Sequence, residues 1–328
     1  MRVLYHDKCF DGACSASLFT LFHRQCIDPG SSTHYEYQGL LHRAGALFSE
    51  SDFSGDQNAI VDFKYSPSPR ITWWFDHHLS AFIDEADHQQ FLDGVASGKF
   101  ADRRFYDPDY TSCTSFLAHI AQTRFGFDAA PVADLIHWAD IVDGALYESP
   151  QSAVEMADPA MKLTALIEST QDAAFIPRLI PLLTTRTLTE ILGEPFVAPL
   201  ITPLMKAHHE AIDLIRDRSE YKDGTIYFDL SDQPTEGYNK FIPYYLYPDA
   251  TYSIGLSVSS FRTKVSVGSN PWTRTNPEQL VNLATICERY GGGGHARVGA
   301  ISFSPDRIDQ ARKAAQEIVA ELRASNPA

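Results

Sequence analysis

A carboxylate and two imidazoles stand in succession at Asp76, His77 and His78, directly after an apolar run that contains Trp73, Trp74 and Phe75. Side chains of these types can bind a divalent ion, shuttle a proton or contact a phosphate. Residues 71–75 read as a buried strand, and the edge at its carboxyl end is where ligands bind in open α/β sheets. Neighbours on a strand point to opposite faces. If the strand persists, one histidine ligates and the other meets substrate or packs. The same pattern recurs along the chain: His6, Asp11, Asp62 and the pair Asp140 and Asp143 each follow an apolar segment. A single acidic residue at a strand end is usually a cap or turn former. Several of them on separate elements, joined by histidines, predict a metal centre. Carboxylates and imidazoles without cysteine pairs suit Mn²⁺, Mg²⁺ or Fe²⁺ better than a structural zinc.

A second concentration lies at residues 290–299, where four consecutive glycines are followed by His295 and Arg297. Glycine lets backbone amides approach an anion closely. Gly292, Gly293, Gly294 and His295 are therefore candidate substrate-binding groups. Arg262 and the turn at 268–272 are candidates for the same surface.

The elements that must position these groups alternate. Strands are expected at 3–6, 34–41, 59–63, 71–76 and 104–106. Helices are expected at 13–22, from Thr111-Ser112 through Ile120, and from about 131 to 141. Strand alternating with helix predicts a parallel sheet covered on both faces. From 152 to 218 strand signals vanish and apolar residues recur at helical spacing. A second alternating region then offers strands at 225–229, 252–259, 263–267 and 298–303, with helices near 238–246, 277–290 and 306–322. The fold class is thus α/β, with a Rossmann-like amino-terminal sheet over 1–150, a helical connector over 151–218 and a smaller α/β domain over 219–328. The 328 residues suit about two domains. A hydrophobic fraction of 44% with 21% charged residues describes a globular protein. No apolar run reaches the about 20 residues of a membrane helix, and the opening residues read as a strand rather than a signal peptide. Five scattered cysteines fit a reducing cytoplasm. A net charge of −15 argues against duplex DNA as a partner.

Ordered along the chain, these residues resemble the motifs of the DHH phosphoesterase superfamily with its associated carboxyl-terminal domain. His6 with Asp11-Gly12 looks like the first motif, Asp62 the second, Asp76-His77-His78 the third and Asp140 the fourth. Gly291 to His295 looks like the signature of the second domain. The superfamily includes single-strand exonucleases, nano-RNases, cyclic-dinucleotide phosphodiesterases, exopolyphosphatases and family II pyrophosphatases. The resemblance implies two ions, Mn²⁺ or else Mg²⁺, Co²⁺ or Fe²⁺, in a cleft between the domains. It implies that His6 binds the first ion, Asp62 bridges both, and Asp11, His77 and Asp140 hold the second. His78 would face the scissile phosphate, with Asp76 orienting its neighbours.

Two departures accompany the resemblance. Many relatives carry a carboxylate where this chain has Cys9, and the spacing from His6 to Asp11 is one residue short. Cys9 is expected to pack in its loop as a small hydrophobe, leaving the first ion to His6, Asp62 and water. Asp140 and Asp143 share a helix face if the helix runs through both, and Asp140 is preferred. The expected function is hydrolysis of phosphodiester bonds in short single-stranded oligonucleotides or small nucleotides by two-metal activation of water. Polyphosphate or pyrophosphate is the alternative substrate. A weakly catalytic, nucleotide-binding sensor is the alternative from another class, and oligomerisation stays open.

Overall fold

Five strands form one sheet in the first part of the chain: β1 (Arg2–His6), β2 (Glu36–Leu40), β3 (Asn58–Val61), β4 (Ile71–Asp76) and β5 (Arg104–Tyr106). Their order is β2-β1-β3-β4-β5, and every pairing is parallel. The computed structural model describes residues 1–42, 47–100, 102–233 and 237–325. The chain divides into two units, one of Met1–Leu146 with Asp158–Ile201 and one of Tyr147–Ala157 with Thr202–Ala328.

A parallel sheet is covered on both faces, so its central strands read as unbroken apolar runs. β4 shows this residue by residue. Trp73 meets Phe19 and Phe22 of α1 (Phe10–Phe22). Trp74 turns to the other face, against Tyr65, Phe82 and Phe91, the last from α2 (Glu85–Ala96). Both indoles are fully buried, and each contributes about 3–5 kcal/mol by the scale of large-to-alanine core substitutions. α1 is buried on nearly every side, as a helix apolar around its girth must be. It packs on β1 and against α3 (Cys113–Phe125) and α4 (Ala133–Asp143).

The stretch expected as a connector is shared between the units. α5 (Pro150–Val154) belongs to the second, whereas α6 (Pro159–Ser169), α7 (Phe175–Leu183) and α8 (Leu188–Leu192) belong to the first. Their apolar residues explain this: Leu163, Ile167, Leu179 and Ile180 are fully buried, and α6 and α7 pack on α1. Helix α9 (Ala198–Arg218) follows.

The second unit is built on β6 (Glu220–Lys222), β7 (Thr225–Asp229), β8 (Tyr252–Val258), β9 (Thr263–Ser269), β10 (Gly293–His295) and β11 (Val298–Phe303), in the order β10-β11-β9-β8-β7-β6. Only β7 and β8 run parallel. α10 (Ile242–Leu246), α11 (Leu283–Glu288) and α12 (Ile308–Ser325) complete it, with Ile254, Val265, Ile286, Ile301 and Ile318 in the core. The helix expected at 277–290 is shorter, because Asn282 caps a fresh start by accepting from Ala284 N and Thr285 N. No described helix is long and apolar enough to cross a membrane.

The order 2-1-3-4-5 reverses direction between β1 and β3, and such switch points open a crevice at the carboxyl ends of the strands. At that point α1 begins very close to the end of β1. A Cβ on Gly12 would stand 2.2 Å from the His6 carbonyl oxygen. Both groups are held by backbone, so neither swings aside. Gly12→Ala is expected to lower stability by about 1–3 kcal/mol, the range of core overpacking, read as the midpoint of urea unfolding. An unchanged midpoint would mean that α1 does not approach β1 this closely.

Candidate metal centre

Three strand ends at the carboxyl rim of the first sheet bring polar side chains together. β1 ends in His6, and Lys8 follows with φ 55° before Cys9 opens α1. β3 ends one residue before Asp62, which adopts φ 57°. Non-glycine residues rarely take this left-handed conformation, and Asp and Asn tolerate it best. Asp62 N still donates to Phe75 O at 2.9 Å, so the backbone stays in the sheet while the side chain turns away. β4 ends at Asp76, and there the strand stops. His77 and His78 are therefore not forced onto opposite faces, and their ring centroids lie 4.6 Å apart. The sequence expectation that they separate assumed a strand that continues.

Each imidazole is oriented by a specific acceptor. His77 Nδ1 lies 3.0 Å from the Tyr110 carbonyl oxygen. A carbonyl only accepts, so Nδ1 carries a proton and Nε2 points inward, where, against the effect of burial, Asp62 and Asp11 raise the ring's pKa to about 10. Nε2 faces Asp143 Oδ2 at 3.4 Å, Asp62 Oδ1 at 3.6 Å and Asp11 Oδ2 at 3.8 Å. His78 Nδ1 donates to Asp76 Oδ1 at 2.7 Å, and the same oxygen accepts from His77 N at 2.9 Å. His6 Nδ1 lies 3.5 Å from Asp62 Oδ2.

The inward atoms have no hydrogen-bond partner. His6 Nδ1, His77 Nε2 and both oxygens of Asp62 are buried and unpaired. Carboxylate oxygens facing one another repel unless positive charge, on an imidazole or a metal ion, lies among them. Two ligands each about 2.1 Å from a shared ion stand about 3–3.5 Å apart, close to the observed separations. The donor set and its spacing fit divalent metal. Among the described residues, three groups meet the requirement: His6 with Cys9 and Asp62, Asp62 with His77 and His78, and Asp11 with His77 and Asp143. Asp62 belongs to two of them. Electrostatics follow the crowding. Burial, then the charges of Asp62 and Asp143, push the Asp11 carboxyl well above its ordinary value. Burial and Asp62 push Asp143 up to about 6. Burial also opposes charge on Asp62, but the imidazoles of His6, His77 and His78 outweigh it and hold its carboxyl well below the usual range. Cys9 is surrounded by the same anions: burial, then Asp62, Asp11 and Asp143, push its thiol well up.

Asp11 has a second occupation. Its carboxylate accepts from Cys113 N at 2.7 Å and from Thr114 N at 3.0 Å, and from the Thr114 hydroxyl at 2.5 Å. These are the first amides of α3, where an anion is favoured by the helix end. Tyr110 and Thr114 carried no signal in the sequence; only the N-cap reading of Ser112 pointed to this turn.

Three expectations give way to the geometry. Helix α4 does run through both Asp140 and Asp143, but Asp140 accepts from the Ser112 hydroxyl at 2.6 Å, and it is Asp143 that reaches His77. In the second unit the glycine run is not an open anion loop. Gly291 N and Gly292 N donate to the carbonyls of Glu288 and Cys287 at the end of α11. Gly293 to His295 then form the edge strand β10 against β11, so close that a Cβ on Gly294 would lie 2.2 Å from Val298 O. His295 is exposed at the tip of this hairpin. Arg297 is pinned to Ser269 Oγ at 2.6 Å and to Asn270 O at 3.0 Å. Arg262 lies at the far end of the sheet: β11 pairs Val298 with Gly268 but Phe303 with Thr263. At about 3.3 Å per residue it does not share a surface with His295.

The two acidic residues of α4 separate by experiment. Asp143→Asn is expected to weaken one bound Mn²⁺ at least about tenfold, the loss that even outer partners of metal ligands cause, while Asp140→Asn keeps most of the affinity. Isothermal titration of both variants decides, and the reverse order would refute the assignment of Asp143.

No protein-family model matches the sequence, and no curated protein matches it. Solved structures do resemble the fold. A pGpG-specific phosphodiesterase of Vibrio cholerae superposes with a TM-score of 0.68 at 18% identity, over 99% of each chain. The DHH domain of a protein described as a member of a family of ribosomal proteins gives 0.58 at 15% identity, covering 98% of this chain and 87% of that one. An exopolyphosphatase-related protein of Bacteroides fragilis gives 0.50 at 12% identity, covering 98% and 93%. The order of the sheet and these likenesses agree: the chain shares the fold of these structures, a DHH domain among them.

Proposed function

We propose that the chain is a metal-dependent phosphoesterase that hydrolyses phosphodiester bonds of short oligonucleotides or small nucleotides. The observation that carries this is the set of adjoining ligand groups that Asp11, Asp62, Asp143, His6 and His77 form at the rim, with the inward donor atoms of Asp62, His6 and His77 buried and without hydrogen-bond partners. Asp62 serves two of the groups and would be shared by two ions, while Asp11, His77 and Asp143 form a further group that shares His77. Bound divalent ions supply Lewis acidity, an activated water and charge stabilisation for in-line displacement at phosphorus.

The chain's own residues do the positioning. The Tyr110 carbonyl fixes the His77 tautomer, and the first amides of α3 hold Asp11 still. Asp76 holds His78 by Nδ1, leaving Nε2 to meet a phosphate oxygen. In the second unit we assign anion recognition to His295 at the hairpin tip, with Gly292, Gly293 and Gly294 allowing the close turn. The likeness to a pGpG-specific phosphodiesterase over the whole length supports a short nucleotide substrate. The likeness to an exopolyphosphatase-related protein is why phosphoanhydrides stay as the second reading.

Asp62→Asn is expected to lower turnover at least about 100-fold, because one neutralised oxygen weakens both ions and even outer partners of ligands matter by about 10–100-fold. Asparagine tolerates the left-handed backbone as aspartate does, so the variant should fold. Wild-type rates and metal content in this variant would sink the metal reading.

The substrate is tested with purified protein in Mn²⁺ against linear dinucleotides, longer single strands, cyclic dinucleotides and polyphosphate. Fastest turnover is expected on the shortest linear nucleotides. Cleavage of polyphosphate alone would replace this proposal with the phosphoanhydride reading, and tight binding without turnover of any substrate would make the protein a sensor.

A further inference from the structure

We propose that Cys9 is a metal ligand, so that His6, Cys9 and Asp62 form a nitrogen, sulfur and oxygen site selective for Zn²⁺, Co²⁺ or Fe²⁺ over Mn²⁺ and Mg²⁺. The proposal deepens the metal reading above and rests on it. It reverses the expectation that Cys9 merely packs in its loop.

Three observations carry it. The Cys9 thiol, a ring nitrogen of His6 and an oxygen of Asp62 all lie within 4.8 Å of one another. Asp62 is 1% exposed, and its oxygens and His6 Nδ1 are buried with no hydrogen-bond partner. Cys9 also occupies the N-cap of α1, a position at which Ser, Thr, Asp or Asn stabilises a helix by about 1 kcal/mol and cysteine is not among the favoured residues.

The two donor sets then differ in kind. Asp11, His77 and Asp143 with Asp62 offer one nitrogen and carboxylate oxygens, which suits a hard ion. Thiolate prefers softer ions, and affinity for nitrogen and sulfur rises from Mn²⁺ toward Zn²⁺. Binding forms a metal–sulfur bond and releases the thiol proton to solvent; no electron moves. The two positions therefore discriminate between metals, and mixed occupancy is the expected resting composition.

Cobalt reads this directly, without turnover. The metal-free protein titrated anaerobically with Co²⁺ should develop visible d–d bands and a near-ultraviolet thiolate-to-cobalt charge-transfer band. Cys9→Ser, which changes one atom, should lose the charge-transfer band while keeping d–d bands from the other position. Its affinity for one Zn²⁺ should fall at least about tenfold, and Cys9→Asp should restore binding of Mn²⁺ in place of Zn²⁺ at that position. Wild-type d–d bands without charge transfer, or a charge-transfer band that survives in Cys9→Ser, would overturn the role of Cys9 while leaving the metal centre. Absence of any cobalt bands would overturn both.

Discussion

The carboxylate of Asp11 ties the first turn of α1 to the first turn of α3, through two amides and a hydroxyl. Hydrogen bonds to a buried charge contribute about 1.5–3 kcal/mol each, and breaking them would strand that charge. The tie fixes the position of the loop before α3. Tyr110 in that loop orients His77, and Ser112 at its end draws Asp140 aside so that Asp143 is the one free to turn inward. A side chain that counts as a ligand candidate is thus also the bolt that places two others. The rim is a single mechanical unit rather than a set of independent residues.

Much of this was legible in sequence where local rules dominate. β5 and β11 begin and end as expected, because short aromatic or β-branched runs bounded by turn residues have few alternatives. His6, Asp62 and the stretch from Asp76 to His78 stand at the ends of apolar strands, which is why they could be singled out as candidates. What escaped depended on tertiary placement. Helix α2 buries only Phe91 and Gly94, too little apolar periodicity to announce it, although Asp84 caps it by accepting from Asp87 N. Asp140 and Asp143 are equivalent by helical spacing, and only the location of Ser112 distinguishes them. The glycine run allowed an anion loop and an edge strand equally, and pairing with β11 chose the strand. Arg262 and His295 looked like neighbours only because antiparallel register was not visible.

The centre shows how stability and chemistry oppose each other in one place. Left-handed backbone at Asp62 and Lys8 is of the kind that disfavours folding by about 1–3 kcal/mol per site and concentrates where function over-determines geometry. Burying Asp11 and Asp62 together would be worse still without compensation. The opposing contribution comes from the two buried indoles of β4, one on each face of the sheet, and from the apolar girth of α1.

The unpaired inward atoms of the rim have a consequence for the life of the protein in a cell. An ion that binds the folded chain and not the unfolded one adds stability in proportion to RT ln(1 + [M]/Kd), about 2.7 kcal/mol at about a hundred times the dissociation constant. Global stabilities are typically only about 5–15 kcal/mol. On the proposed metal reading, metal supply therefore governs abundance. In a starved cell the chain would open more often, and proteases would clear it before any substrate could accumulate on it.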